Sequence, residues 1–407
     1  TATPVTHITV NVADDGRIRV YNDGPGVEIA LHKKASEHFG RDIWLPTFIF
    51  GHLFQGSNRN HTADSIIGGE NGLGAKLSGC FALDSVVETV HGGKYFLQKW
   101  EDHKKVEKPP LIIDLTAPGA VARFGPGASA RTTPHTLLSF MPDYVGLFGY
   151  ESFDESVRTL ITDLVRTRMF YAAAYIGYTQ TTTPNAHRCV VTFNDVPIPV
   201  SSMADVAKLF FPGKPITTSI VASTARPPSP YKYAWEVCAV VTDATVFEVP
   251  LISNVNGVVV RDGKHRKFLA DKIVEGVRER IAKIIRDKNI NFAPANVTNN
   301  LFLFMNTKIP RPSWTGQRKD VLEIDLRKLA GYALDAKFIN PVADALKDRI
   351  LDSIFTVPAA TGRKKTLVEC DKYTEAGDAG GRYSRECILL CGEGDSALSQ
   401  LAIGVPQ

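Results

Sequence analysis

Alternating apolar and polar positions open the chain and predict a β-hairpin. His7 to Val12 and Arg17 to Tyr21 alternate on either side of the turn sequence Ala-Asp-Asp-Gly. Further strand-like runs cover residues 82–90, 94–100, 111–115 and 135–140, and residues 187–198 predict a strand and a turn. Apolar spacing predicts a helix from Pro46 to Phe54, begun by the proline, and a long helix from Phe153 to Tyr175. This part of the chain is therefore predicted to be a mixed α/β unit.

The second half begins after a stretch rich in Pro, Ser and Thr at residues 214–231, which is the best linker candidate. Strands are predicted at Trp235 to Val241, at Val246 to Val249 and around residues 299–309, and a helix from about Pro341 to Ile354. A longer helix carries an apolar stripe at Phe268, Ile273, Val277, Ile281 and Ile284. Its opposite face is basic, with Lys272, Arg278, Lys283, Arg286 and Lys288. This basic face fits either a solvated surface or a contact with the DNA backbone.

Composition limits the possible classes of protein. A chain of 407 residues with 44% hydrophobic and 22% charged residues is expected to form two or three globular domains. The six cysteines show no paired metal-ligand spacing, which argues against zinc and favours reduced thiols in an intracellular protein. Apolar runs are far shorter than the roughly 20 residues that span a bilayer, so no membrane partner is expected. The net charge of +4 does not decide between partners.

The stretch Ile66 to Gly79, IIGGENGLGAKLSG, is dense in glycine and precedes a predicted helix, so its bare backbone amides could bind an anion. It is not a Walker A loop, because Ala75 separates Gly74 from Lys76 and Leu77 lies near the place of the metal-binding hydroxyl. It is not a dinucleotide fingerprint either, because no third glycine follows at the required spacing. The sequence of this loop alone fits either a lid that folds over a nucleotide or a simple tight turn.

Several motifs in collinear order resemble one family. VYNDGPGVEI, PTFIFGHLFQGSN and GGENGLGAKLSG resemble the ATPase region of type IIA DNA topoisomerases of the eukaryotic and large-DNA-virus kind. Downstream, SWTGQRKD resembles the Gln-x-Lys loop of that family, DGKHRKFLADKIV its transducer helix entry, and LLCGEGDSALSQLAIG the first motif of its TOPRIM domain. Chance matching of this many separated motifs over nearly the whole chain is not expected.

The resemblance implies an α+β fold with five segments. A GHKL (Bergerat) ATPase α/β sandwich is expected at residues 1–215, a linker at 216–231 and a transducer domain of ribosomal-protein-S5-like fold at 232–356. A second linker at 357–384 and the first strand and motif of a TOPRIM domain at 385–407 would follow. The family's general-base glutamate and magnesium-binding asparagine are expected upstream of Thr1, so the chain by itself is expected to be incomplete for catalysis.

Site residues carried over from the resemblance form four groups. Asn22 matches the adenine reader, because a carboxamide can both donate and accept a hydrogen bond. Ser57 and Asn58 match ribose and phosphate contacts, although Gly56 replaces a usual serine. Phosphates would be wrapped by the amides of Asn71, Gly72, Leu73, Gly74 and Ala75, with Lys76 adding a cation; Glu70 and Leu73 depart from the family's usual basic and aromatic residues. Gln317 and Lys319 match the residues that reach the γ-phosphate, Lys319 to compensate developing charge and Gln317 to report the phosphate.

The resemblance also implies cofactors and partners. ATP and Mg²⁺ are the expected cofactors, and Glu393 matches the TOPRIM acid that binds magnesium for DNA cleavage, although its Asp partners would lie beyond Gln407. Double-stranded DNA and a second copy in a homodimer are the expected partners, in the nucleus or, for a viral protein, at a replication site in the host cytoplasm. The expected activity is that of an ATP-hydrolysing type II DNA topoisomerase. A non-hydrolysing nucleotide-dependent module and another GHKL ATPase clamp stay open as alternatives.

Overall fold

The computed structural model describes residues 4–54, 66, 68–69, 72–124, 132–182, 187–222, 234–242, 250–287, 292–316, 318–326, 329 and 334–355. Within these ranges the chain forms one large and two smaller β-sheets with helices packed against them. None of the described helices is long and apolar enough to cross a membrane. The expected strand at Val246 to Val249 and the expected TOPRIM motif at 385–407 lie outside the described residues.

The first sheet has nine strands among the described residues, in the order β5-β4-β3-β7-β2-β1-β8-β9, with β6 also paired to β4. The strands are β1 (His7–Val12), β2 (Ile18–Asp23), β3 (Ala82–His91), β4 (Lys94–Glu101), β5 (Val106–Glu107), β6 (Leu111–Asp114), β7 (His135–Pro142), β8 (Val190–Phe193) and β9 (Val196–Pro197). The helices of this unit are α1 (Lys33–Phe39), α2 (Leu45–Gly51), α3 (Gly74–Cys80), α4 (Glu155–Thr182) and α5 (Met203–Phe210), with a 3₁₀ turn at Val121–Phe124.

The opening hairpin forms as its alternation predicts. β1 and β2 pair antiparallel, and Gly16 supplies the left-handed φ of +87° that the connecting turn requires. β1 also pairs in parallel with β8 from far along the chain. The strands predicted at 82–90, 94–100, 111–115 and 135–140 are confirmed as β3, β4, β6 and β7.

The second unit consists of a five-stranded and a three-stranded sheet within the described residues. The larger has the order β10-β11-β15-β12-β13, and the smaller has β14-β17-β16. The strands are β10 (Thr217–Ala222), β11 (Ala234–Val241), β12 (Leu251–Val255), β13 (Val258–Val260), β14 (Asp262–Gly263), β15 (Leu301–Thr307), β16 (Ser313–Trp314) and β17 (Val321–Glu323). The helices are α6 (Lys264–Asp287), α7 (Ala295–Thr298) and α8 (Ala336–Phe355).

Three apolar clusters lie among the described residues, a small one around Val90 and Tyr95 and two larger ones. The first of the larger two is formed by α6, α8 and the five-stranded sheet, where Ile273 and Val277 pack with Leu303 and Phe338. The second crosses from one unit to the other, because Val10 and Ala174 of the first unit pack with Cys238, Val240 and Phe304 of the second. The two units therefore share one continuous apolar contact.

Four elements have boundaries that differ from the sequence prediction. Residues 217–222, placed in the linker expected at 216–231, form β10 and pair with β11, because the β-branched residues in TTSIVA suit a strand. α8 begins at Ala336 and not near Pro341, because the Asp335 carboxylate accepts the Phe338 amide at 2.9 Å and caps an earlier start. α4 continues to Thr182, and α2 ends at Gly51, three residues before Phe54.

Candidate functional site

The glycine loop leads directly into α3, which begins at Gly74 and confirms the helix predicted after the loop. Gly72 has a φ of +59°, a conformation that favours glycine. Leu73 occupies the N-cap and makes no side-chain capping bond, so the helix start depends on backbone groups. The side chain of Lys76 is 3% exposed, and its Nζ donates to the Gly72 carbonyl at 2.5 Å. The cation of the loop is therefore folded back against the loop itself.

Lys319 reaches the same loop from the second unit. It lies between β16 and β17, and its Nζ donates to the Gly68 carbonyl at 2.5 Å. Its backbone has a left-handed φ of +58°, uncommon for a lysine, and its amide donates to the Gly316 carbonyl. The tight turn thus aims this side chain at a loop 251 residues away in sequence.

A second element of the same unit also touches Gly68. The β12–β13 hairpin turns through Asn256 and Gly257, both with positive φ, as in a type I′ turn. A Cβ atom at Gly68 would lie 2.5 Å from the Asn256 carbonyl oxygen, so only glycine fits without movement. The Asn256 carboxamide is itself fixed by two bonds to the Ile309 backbone, at 2.7 and 2.8 Å. Two loops of the second unit therefore meet the start of the glycine loop.

Asn22 lies at the end of β2 on the face of the sheet that carries Ile8 and Thr136, its register partners in β1 and β7. Its Nδ2 donates to the Asp23 carbonyl at 2.7 Å. The Asp23 carboxylate accepts the amides of Thr6 and His7 at 2.7 and 2.8 Å. Burial alone would raise the pKa of Asp23, but a bond from the Thr6 hydroxyl together with these two amide bonds outweighs it and lowers the pKa. Asp23 thereby fixes the chain around Asn22.

Asn22 also borders a cavity of about 630 Å³ between the first sheet and α4. The lining residues are Val5, Ile8, Val20, Tyr21, Asn22, Tyr175, Ile176, Thr179, Gln180, His187 and Cys189. This mainly apolar lining with a few polar groups is typical of small-molecule sites. Among the described residues, those of the glycine loop do not line it, but Gly257, next to the Asn256 that meets Gly68, lies against Tyr175 of this lining.

Sequence reasoning missed Thr136, which lies directly opposite Asn22 and has its Oγ1 3.3 Å from that of Thr89. No periodicity signal could have found it, because its place depends on the pairing of β2 with β7.

Of the other predicted site residues, Gly74 and Ala75 are exposed in the first turn of α3, whereas Ser57, Asn58, Asn71, Gln317 and Glu393 lie outside the described residues. Within the described part of the chain no group of three or more His, Cys, Asp or Glu side chains is placed to hold a metal ion.

A buried polar layer joins the two units behind the site. Asn254 and Asn306 donate to the carbonyls of Tyr171 and Ala174 in α4, at 2.9 and 3.2 Å. The Glu236 carboxylate accepts from Asn306 at 2.8 Å and from the Met203 amide at the start of α5 at 3.0 Å. Burial raises the pKa of Glu236. These directional bonds fix how the second sheet sits on α4 and α5.

Comparison with known proteins identifies related sequences. The family model described as DNA gyrase B matches residues 210–356. DNA topoisomerase 2 of African swine fever virus (isolate Tick/South Africa/Pretoriuskop Pr4/1996) is 30% identical over 98% of this chain and 31% of the viral protein. DNA topoisomerase 2 of Candida glabrata is 26% identical over 98% of this chain and 27% of that protein. The chain thus spans less than a third of the length of these curated relatives.

Solved structures share the fold. The ATPase region of Saccharomyces cerevisiae topoisomerase II matches with a TM-score of 0.65 and 24% identity, covering 86% of this chain and 80% of the yeast one. The ATPase and transducer domains of topoisomerase II from Balamuthia mandrillaris match with a TM-score of 0.67 and 24% identity, covering 86% of this chain and 79% of that one. The predicted α+β architecture is therefore confirmed.

Proposed function

We infer the function of this chain from its family, because it is homologous to DNA topoisomerase 2 and corresponds over most of its length to the ATPase and transducer region of that enzyme. We propose that it binds and, in the complete protein, hydrolyses ATP to operate the passage of one DNA duplex through another. The unit of residues 1–215 would hold the nucleotide, and that of residues 232–356 would transmit its state.

The contact between Lys319 and Gly68 carries the proposal. A lysine of the second unit already lies 2.5 Å from the loop that would hold the phosphates. From there its ammonium can compensate the charge that develops on a terminal phosphate during transfer. Gln317, two residues earlier, would sense whether that phosphate is present.

The remaining site residues complete a nucleotide site. Phosphates would be wrapped by the amides of Asn71, Gly72, Leu73, Gly74 and Ala75 beside Lys76, with Ser57 and Asn58 near the ribose. Asn22 would read adenine, and the cavity it borders has room for a planar base. Thr136 is proposed as a second polar contact, because it shares the face of Asn22.

Hydrolysis would change the orientation of the two units. Removing the terminal phosphate takes away a group that both the loop and Lys319 would hold, so their relative position depends on the nucleotide. The β12–β13 turn and the polar layer around Asn306 offer firm attachments through which such a movement can pass.

In the complete protein, ATP binding would draw two copies together around double-stranded DNA. Mg²⁺ would accompany the nucleotide, and Glu393, in a TOPRIM domain beginning at 385–407, would serve a second magnesium site for DNA cleavage. We propose an intracellular location, in the nucleus or at a viral replication site.

The test measures binding of a non-hydrolysable ATP analogue to the 407-residue chain. Lys319→Met should weaken binding about tenfold or more, the loss expected for a hydrogen bond to a charged group. Gly72→Val should also weaken it, because valine is strained at a φ of +59°.

Arg318→Met is the matched control, because Arg318 is the adjacent cation, 82% exposed and paired with Asp320; it should bind within about twofold of the parent chain. Equal binding by the Lys319 and Arg318 variants would refute the site. Binding without DNA-stimulated hydrolysis in the complete protein would instead indicate a nucleotide-dependent module and not an enzyme.

A further inference from the structure

Lys104 lies on a turn that is held in an unusual conformation. The consecutive residues Asp102, His103 and Lys104 have φ values of 47°, 56° and 68°, a left-handed run without glycine. Such a run persists only where surrounding contacts fix it. Here the ring nitrogens of His103 contact the carboxylates of Asp102 at 3.1 Å and Asp143 at 3.0 Å. The turn between β4 and β5 is therefore a rigid support that points Lys104 inward.

The ammonium of Lys104 meets the end of α2. Its Nζ donates to the Phe50 carbonyl at 3.1 Å. Phe50 lies in the last turn of α2, whose carbonyls have no partner within the helix and carry partial negative charge. The same Nζ lies 4.1 Å from the centre of the Trp100 ring, a cation–π distance. Lys104 thus caps α2 from outside the helix.

The stem of Lys104 lies against α3. A Cβ atom at Gly79 would lie 2.0 Å from Lys104 Cε, so the lysine occupies the space of a missing side chain. α2 ends at Gly51 and α3 begins at Gly74, and the glycine loop lies between them in sequence. One side chain therefore contacts both helices that flank the loop.

Holding this charge costs free energy. Burial lowers the pKa of Lys104 to about 8, with Glu107 of β5 and the Cys80 thiol of α3 opposing the shift and Lys76 of α3 adding to it. A lysine whose pKa is lowered makes the fold less stable in its charged form than in its neutral form. A costly cation between the two helices that flank the glycine loop is better explained by what the loop binds than by stability.

We propose that Lys104 is a positioning residue of the glycine loop, whose ammonium holds the end of α2 and whose stem holds α3, so that the loop is presented for a nucleotide triphosphate. This rests on the proposed nucleotide function. Lys76 and Lys104 then donate to carbonyls on the two sides of the loop: Lys76 to Gly72, just before α3, and Lys104 to Phe50, in the last turn of α2. No phosphate contact by Lys104 is required.

The test compares Lys104→Met and Lys104→Arg with Lys105→Met in the 407-residue chain. Lys105 is the neighbouring lysine of the turn, 69% exposed and 3.2 Å from Asp102, and serves as the control. Without nucleotide, Lys104→Met should speed amide hydrogen exchange in residues 45–51 and 74–80, and Lys105→Met should not. With a non-hydrolysable ATP analogue, Lys104→Met should weaken binding about tenfold, and Lys104→Arg should retain most of it.

A pH series separates positioning from simple packing. The affinity of the parent chain should fall as pH rises through about 8, where Lys104 loses its proton. Lys104→Arg should not show this fall, because arginine stays charged, and Lys104→Met should be weak and flat over the same range.

Unchanged exchange and unchanged affinity in Lys104→Met would overturn the proposal, as would an identical pH profile in all variants. If the parent chain binds no analogue, the nucleotide function fails. The exchange rates then still decide whether Lys104 holds the two helices.

Discussion

Replacing Gly68 with alanine should loosen the contact between the glycine loop and the second unit. The added Cβ would lie 2.5 Å from the Asn256 carbonyl oxygen and 2.9 Å from Val258 Cγ2. Real Cβ contacts essentially never fall below 3.0 Å, so the backbone must move by at least the difference, 3.0 − 2.5 = 0.5 Å. Asn256 cannot yield easily, because its carboxamide is bound twice to Ile309.

Two effects determine how far Gly68→Ala lowers the free energy of unfolding. Inserting a methyl group into a packed contact costs about 1–3 kcal/mol. Movement of the loop also lengthens the 2.5 Å bond from Lys319 to the Gly68 carbonyl. We therefore expect the free energy of unfolding to fall by about 1–3 kcal/mol, with most of the change in the contact between the units.

Gly69→Ala is the matched control, because a Cβ atom there meets nothing within 4 Å. It should change the free energy of unfolding by no more than about 0.5 kcal/mol. Urea denaturation of both variants, alone and combined with Lys319→Met, completes the experiment.

Because Gly68 and Lys319 share a contact, their effects should be non-additive by about 0.5 kcal/mol or more. Equal stability of the two alanine variants, or strict additivity with Lys319→Met, would refute the reasoning.

Two further predictions concern buried ionisable groups. Glu236→Ala should lower the free energy of unfolding by about 2–4 kcal/mol, because the Met203 amide and one of the two N–H groups of the Asn306 carboxamide lose their acceptor, while Glu236→Gln should cost less. Burial raises the pKa of Glu236, so the protonated carboxyl stabilises the folded state below the unfolded pKa near 4.5, and this stabilisation is lost as pH rises through the higher folded pKa. The free energy of unfolding of Glu236→Gln, measured by denaturation, should not show this loss. Burial lowers the pKa of His265 to about 4, so the folded state resists its protonation and unfolding free energy should fall as pH drops from 6.5 towards 4. The fall should be up to about 1.4 kcal/mol per pH unit and absent in His265→Gln; parallel curves for the two proteins would contradict the prediction.

Much of the fold could be predicted from local sequence patterns. The hairpin of β1 and β2, the strands at 82–91 and 94–101 and the helix that starts at Gly74 follow from alternation, turn residues and apolar spacing within a few residues. The errors were also local. Asp335 caps α8 earlier than Pro341 suggested, and β10 lies in a segment whose composition favoured a linker.

The polar layer between the units could not be predicted from such local patterns. Asn254, Asn306 and Glu236 lie on strands of apolar character, and no local pattern assigns them a partner. The two asparagines donate to carbonyls of α4 and the glutamate accepts from an amide of α5, partners at separations between 33 and 132 residues. Sequence alone cannot assign such partners, because buried polar groups are fixed by packing and not by periodicity.

The amino-acid sequence by itself determined the glycine loop, the helix after it and the motif order that resembles the topoisomerase family, because these depend on neighbouring residues. Only the tertiary structure decided that Lys319 lies against Gly68, that Thr136 lies beside Asn22 and that Lys104 contacts both α2 and α3. Each of these contacts joins segments whose approach depends on strand order and on the exact shape of two distant turns. Local preferences act over a few residues, whereas such contacts are set by the packing of the whole chain.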